Sequence, residues 1–199
     1  MTYRDPRTAL RTLYRIATGQ GGYFTSKQAA SAGYGKRHVA YHLKVGNFER
    51  AGHGLYRLPT VPLSEHDDLI RASLWSRGRD DVPQAVVSHE TALALHELSD
   101  LLPGKIHLTV PRSFRKRPPR TVVLHARPIA PADSEAWTGF RATTPLRTLA
   151  DAAADGGVPN DELRQAVKDA LARGLVRRSS MLALAKRDDR IASALRSRR

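Results

Sequence analysis

The stretch TSKQAASAGYGKRHVAYHLKVGNFERAGHGLYRLP, residues 25–59, reads as two short helices followed by a glycine-tipped hairpin. Thr25 is a good N-cap with Gln28 at the third helical position, and Phe24 before it can staple towards Ala29, so a helix is expected over Ser26–Ala32. Gly33 supplies the left-handed residue that ends it. After Tyr34-Gly35, a second helix is expected over 36–45: Val39 and Leu43 lie four apart and face inward, while Arg37, Tyr41 and Lys44 fall on the other side. Phe48-Glu49-Arg50-Ala51 and Leu55-Tyr56-Arg57-Leu58 then alternate around Gly52-His53-Gly54. This is the layout of a winged helix-turn-helix, which implies nucleic-acid binding. A helix of ten residues spans about 15 Å, enough to lie in a major groove and offer three or four side chains to base edges and phosphates.

The candidate DNA-binding residues are Ser26 and Lys27 at the start of the first helix, Lys36, Arg37, His38, Tyr41 and Lys44 on the second, and Arg50 and His53 on the wing. Arg37 is expected to reach a guanine edge and Tyr41 a thymine methyl or phosphate. Short helices with exposed basic residues also occur on ordinary solvated surfaces. What sets this stretch apart is the order: helix, tight turn, basic helix, then a wing with its own basic residues.

Charge is distributed unevenly. The 199 residues carry a formal net charge of +14. Residues 1–60 hold ten basic and two acidic side chains, residues 61–111 four and eight, and residues 112–127 six and none. The sign change across 60 coincides with Pro59-Thr60-Val61-Pro62, where two prolines stop strand pairing and stiffen a connector, so a boundary between domains 1–60 and 61–199 is expected there. Before the helix-turn-helix, Asp5-Pro6 sets a cap and first-turn proline for a helix carrying Leu10, Leu13 and Ala17. Its Arg7, Arg11 and Arg15 form a solvated stripe or touch phosphates. No cysteine is present, which excludes disulfides and thiolate chemistry and suits a reducing cytosol. No apolar run approaches the ~18 residues of a membrane span, so a cytoplasmic location is expected, without membrane contact.

The second domain reads as mixed α+β, with a small sheet backed by several helices, making the whole chain α+β. Ser64 is expected to cap a helix with Leu69, Ile70 and Leu74, Ala85-Val86-Val87 to form a short strand, and Ser88 to cap a helix reaching about Leu98. Ile106–Val110 and Thr121–Leu124 are β-rich runs around a basic segment and suggest a long hairpin. Helices follow from Thr144-Pro145 to Gly156-Gly157, around Leu163, Val167, Ala170 and Leu171 up to Gly174, and over Met181–Leu195. The segment between the β-rich runs forms an accessory basic loop with Arg112, Arg115, Lys116, Arg117 and Arg120.

Four stretches in order, Gly54-Leu55-Tyr56-Arg57-Leu58-Pro59, Ser88 through Leu98, Ile106-His107-Leu108-Thr109-Val110-Pro111 and Pro145-Leu146-Arg147-Thr148-Leu149-Ala150-Asp151, resemble the successive signatures of the AbiEi-family antitoxins. That resemblance implies a transcriptional repressor of a type IV toxin-antitoxin operon. Its winged helix would bind double-stranded DNA at the repeats of its own operator, and its second domain would counteract a nucleotidyltransferase-like toxin. Glu97 departs from the pattern, since glycine is frequent there before Leu98, and this bears on the local turn.

Catalytic readings are weaker. His89-Glu90 and His96-Glu97 suggest a metal site, but seven helical residues separate the two histidines by about 10.5 Å, too far to share one zinc; no metal and no cofactor are expected. No P-loop or dinucleotide fingerprint occurs, and Gly19-Gln20-Gly21-Gly22 is read as a flexible turn. Arg147 and Asp151, four apart, suit an intrahelical pair. Two alternatives remain beside the repressor: a protein-interaction antitoxin that binds its toxin directly through the basic loop and C-terminal helices, and an RNA binder. Only 6% of residues are aromatic, and they do not cluster on a sheet face, which disfavours single-strand stacking.

Overall fold

The computed structural model describes residues 5–196. It is α+β with two small sheets and divides into two compact units, one comprising residues up to Pro83 with Thr138–Phe140, the other Gln84–Trp137 with Arg141 onward.

In the N-terminal unit, α1 (Pro6–Thr18) starts where the Asp5 carboxylate accepts from the Thr8 amide at 3.1 Å. It packs Ala9, Leu13 and Ala17 into the core. The expected flexible turn that follows is a tight one: Gly21 and Gly22 both have positive φ, and the Gly22 amide bonds Ala17 at 2.7 Å. A Cβ on Gly22 would sit 3.0 Å from that of Val61, so packing as well as φ requires glycine. Strand β1 (Tyr23–Thr25) leads into α2 (Ser26–Ala32) and α3 (Lys36–Lys44), followed by β2 (Glu49–Gly52) and β3 (Leu55–Arg57). The sheet order is β1-β3-β2, both pairs antiparallel, with a register shift between Arg50 and Gly52. Phe24 lies at the centre of the core, edge-on to Phe48 at 5.0 Å and stacked with Tyr56 at 5.7 Å.

This unit continues past the prolines at 59–62, where a boundary is expected from sequence. Helix α4 (Asp67–Trp75) and the loop after it are tied to β1 and α2 by side-chain bonds. The Tyr23 hydroxyl donates to Asp67 at 2.9 Å, the Thr25 hydroxyl to Asp81, and the Lys27 ammonium to the Arg79 carbonyl. Two of the acids that follow residue 60, Asp67 and Asp81, thus accept from hydroxyls of the preceding segment. Ser64 does not cap α4; His66 takes that position, and the Ser64 hydroxyl accepts the His66 amide at 3.2 Å.

The C-terminal unit holds β4 (Val86–Val87), α5 (His89–Leu95), β5 (Ile106–Val110), β6 (Val122–Ala126), β7 (Ser134–Trp137), β8 (Phe140–Thr143) and helices α6 (Pro145–Asp155), α7 (Asn160–Ala172), α8 (Arg178–Ala185) and α9 (Asp189–Arg196). The sheet order is β6-β5-β4-β8-β7. Strands β5 and β6 pair in parallel, Ile106 opposite Val122 through Val110 opposite Ala126, so the expected hairpin is absent. The 111–121 connector returns along the strands instead, an extended crossover in which Pro118 and Pro119 disfavour helix and tight turn alike. The helix expected over 181–195 is also broken, because the Asp188 carboxylate accepts from the amides of Arg190 and Ile191 at 2.9 and 3.1 Å and starts α9 anew. The core comprises Leu93, Leu98, Leu149, Leu163, Val167, Met181 and Ile191 among others. Arg147 pairs with Asp151 at 2.9 Å as the i, i+4 spacing suggests, and also with Asp133 at 2.9 Å.

Helix α5 ends early. Glu97 takes φ +55, the conformation a glycine would adopt without strain, and the Leu98 amide bonds the Leu93 carbonyl at 2.8 Å. Glu97→Gly is expected to stabilise the protein by about 1 kcal/mol, since a left-handed non-glycine residue costs about that much. The exposed Glu97–Arg173 pair, 3.2 Å apart, offsets little of the gain. Thermal unfolding checks this; a lowered midpoint would mean the pair outweighs the backbone.

Candidate nucleic-acid interface

The α2–turn–α3 geometry is set by short-range rules. The Thr25 hydroxyl accepts the Gln28 amide at 3.0 Å while the Gln28 side chain accepts the Thr25 amide at 2.9 Å, a complete capping box. Gly33 at φ +107 closes α2, and the Tyr34 amide returns to Ala29 at 2.8 Å. The Tyr34 ring then drops into the core, 5.6 Å from Phe48 and 5.3 Å from His42, and so holds α3 at a fixed angle to α2.

On α3, Val39 is buried and Leu43 packs partly against the core, which turns the other face to solvent. Lys36, Arg37, His38, Tyr41 and Lys44 are all exposed, Tyr41 at 61%. At 100° per residue, Arg37, Tyr41 and Lys44 fall within an arc of about 60°. Ala40, also exposed, lies beside them and keeps that part of the face low. Among the described residues, none of the four cationic or imidazole side chains on this face has a hydrogen bond or ion pair within the chain. Other arginines contrast with them: Arg57 bridges Glu49 and the Val61 carbonyl, and Arg77 pairs with Asp81 at 3.1 Å. Asp5 and Glu49 are the two acids of residues 1–60, and Glu49 is met by Arg57 at 3.3 Å. Cationic groups on α3 therefore have no carboxylate partner nearby in sequence to neutralise them.

The wing is joined to both helices. The Gly54 carbonyl at its tip accepts from the Ser26 amide at 3.0 Å and the Ser26 hydroxyl at 3.4 Å. Ser26 and Lys27 are exposed, and each makes one side-chain bond, Ser26 to the Gly54 carbonyl and Lys27 to the Arg79 carbonyl. Arg50 and His53 are exposed, and the Arg50 guanidinium lies 5.5 Å above the Tyr56 ring, which stiffens a long side chain without neutralising it. At the other end, the His42 carbonyl accepts the amides of Asn47 and Phe48 at 2.9 and 3.1 Å, and its ring stacks on Phe48 at 4.7 Å. Burial, then the neighbouring His38, lowers the His42 pKa, which favours the neutral imidazole at this junction between α3 and the wing. Sequence patterning did not single it out, because a histidine in a basic run reads as surface.

The accessory basic loop lies in the other unit. Arg112, Arg115, Lys116, Arg117 and Arg120 are exposed on the β5–β6 crossover, and Arg115 donates to the carbonyls of Arg112 and Phe114 at 2.7 and 3.0 Å. Arg7, Arg11 and Arg15 are exposed along α1. No described helix is long and apolar enough to cross a membrane.

Comparison with known proteins finds a family match in the N-terminal unit and a similar fold. Residues 11–59 match the family described as transcriptional regulator, AbiEi antitoxin, which spans α1 through the wing. The fold is similar to the crystal structure of the RV2827C protein from Mycobacterium tuberculosis, with a TM-score of 0.58 and 18% identity over 96% of this chain and 77% of that one. At that identity the likeness concerns the fold alone. No curated protein matches the chain.

Proposed function

We propose that the chain is a sequence-specific DNA-binding repressor and antitoxin of a type IV toxin-antitoxin operon, acting by occupancy of its own promoter rather than by catalysis. The observation that carries this reading is the solvent face of α3, where Lys36, Arg37, His38 and Lys44 are exposed without partners among the described residues and Tyr41 stands among them. Cations held on a rigid helix and left unpaired suit phosphates and guanine edges. Arg50 and His53 would reach backbone or minor groove from the wing. A nine-residue helix, about 14 Å long, reads few base pairs, so useful specificity calls for two protomers on repeated half-sites. The family match over 11–59 supports the regulator reading. A nucleotidyltransferase-like toxin encoded alongside is the expected partner in function, and the cytoplasm the expected location.

Footprinting on the gene's own upstream region tests this. The expected result is protection of paired half-sites by two protomers, with duplex competing far better than single-stranded DNA or RNA. Equal binding to unrelated duplexes, or preference for single strands, overturns it.

A second reading is favoured by one feature, the exposed cluster of five basic side chains on the β5–β6 crossover. If the protein neutralises its toxin by direct contact, replacing Arg115, Lys116, Arg117 and Arg120 with Ala abolishes neutralisation and leaves operator binding intact. Loss of DNA affinity with a smaller salt slope instead makes the loop a phosphate clamp.

A further inference from the structure

Three side chains that are distant in sequence converge in the C-terminal unit. His89 at the start of α5, His125 on β6 and Asp155 at the end of α6 place one ligand atom each within 4.8 Å of one another. Asp155 Oδ2 lies 2.8 Å from His125 Nδ1 and 3.1 Å from His89 Nε2. His89 is 1% exposed, and its Nε2 has no hydrogen-bond partner even though that oxygen is close, so the contact lacks the alignment of a hydrogen bond. Donors held about 2.1 Å from a common ion lie about 3 Å apart at right angles and about 3.4 Å apart in a tetrahedron, and Asp155 Oδ2 is near the first of these distances from each imidazole nitrogen.

The surroundings are those of a ligand set. Nδ1 of His89 is 2.8 Å from the Ser88 hydroxyl, which also receives the Thr109 hydroxyl at 2.9 Å. With Nδ1 donating to Ser88, the His89 lone pair is on Nε2, the nitrogen nearer Asp155. Nε2 of His125 is 3.2 Å from Nδ1 of His107, which in turn lies 2.7 Å from the Glu90 carboxylate. Arg127 holds the other Asp155 oxygen, leaving Oδ2 to the two imidazoles. His89 sits at φ +53, a conformation that persists in a non-glycine residue where its surroundings demand it, and such strain gathers at functional sites.

We infer that His89, His125 and Asp155 bind a divalent transition-metal ion, with Ser88, His107, Glu90 and Arg127 orienting the ligands. Two imidazoles and one carboxylate suit an ion of borderline softness such as Zn²⁺, Co²⁺ or Ni²⁺; Mg²⁺ and Ca²⁺ prefer all-oxygen shells, and Cu⁺ prefers sulfur. The imidazole rings are stacked at 3.5 Å with 13° between their planes, so the ion would swing them apart to bring both lone pairs to one point. It would tie α5, β6 and α6 together. The sequence expectation of no metal compared His89 with His96, whose Nε2 instead bonds the Thr143 carbonyl at 2.7 Å; the inferred partners lie 36 and 66 residues from His89. This site does not rest on the DNA-binding proposal.

Titration of the chelator-stripped full chain with Zn²⁺, read by calorimetry, and with Co²⁺, read by its visible absorption, tests the inference. One ion per chain and a higher melting midpoint with Zn²⁺ are expected. His125→Gln and Asp155→Asn should each weaken binding at least ~10-fold and remove the Zn²⁺-dependent rise in midpoint. His66→Ala, at a half-buried histidine beside Glu65 in the other unit, should change neither. Circular dichroism of the metal-free variants separates loss of the site from loss of the fold, and the unmodified protein carries the test if either variant unfolds. No binding by the unmodified protein at about 100 µM Zn²⁺, or binding that survives both substitutions in folded protein, overturns it.

Discussion

Phe24→Ala should lower stability by about 3–5 kcal/mol, the cost of deleting a fully enclosed aromatic side chain from a core that cannot collapse around the gap. Phe24 is 0% exposed and touches Phe48 and Tyr56, one residue before the β2 strand and one within β3. Its own backbone pairs with Tyr56 in the β1–β3 ladder, which prevents the surrounding strands from closing on the cavity. The aromatic pairs add to the loss beyond buried area. Because the same ring seats the wing against the α2 N-terminus, operator affinity should fall with stability even where the protein still folds. Denaturant unfolding of the full chain, followed through far-ultraviolet circular dichroism, gives the free energy. A loss under about 1.5 kcal/mol would mean that Tyr34 and Phe48 refill the space and that the core is more plastic than its packing implies.

Local rules made the N-terminal unit legible. A capping box, a left-handed glycine and an apolar pair four residues apart are each complete within a few residues, so Thr25, Gln28, Gly33, Val39 and Leu43 are enough to define α2 and α3. Long-range pairing was not legible. Ile106–Val110 and 121–124 look like two arms of a hairpin, and only the path of the crossover, which sequence does not encode locally, makes them parallel neighbours. The same limit hid the extent of the N-terminal unit. Asp67 and Asp81 looked like acids of a separate domain, whereas they receive the hydroxyls of Tyr23 and Thr25. On the candidate interface, periodicity identified the outward face of α3 but not the bonds that Ser26 makes to Gly54 and Lys27 to Arg79. His125 and Asp155 carried no signal at all, because a ligand set drawn from three elements has no characteristic spacing.

The unpaired face of α3 makes the proposed readout divisible into specific and general parts. Arg37 lies in the first turn, the end of a recognition helix that enters the groove, and its fork matches the two acceptors of a guanine edge. Lys44 lies at the last position, where an ammonium suits a phosphate as a point charge. Arg37→Ala is therefore expected to cost about 1–3 kcal/mol on the operator and to relax preference at one base pair, with a smaller effect on random duplex. Lys44→Ala should weaken operator and random duplex alike and reduce the slope of log affinity against log salt by about 1. Both side chains are exposed and without partners among the described residues, so neither change should alter the melting midpoint, which distinguishes lost contacts from lost fold. Titrations across salt and across single-base variants of the operator measure both effects. Equal loss for Arg37→Ala on operator and random sequence would remove its base-reading role and leave α3 a phosphate-binding helix, with specificity supplied by the wing or by DNA shape.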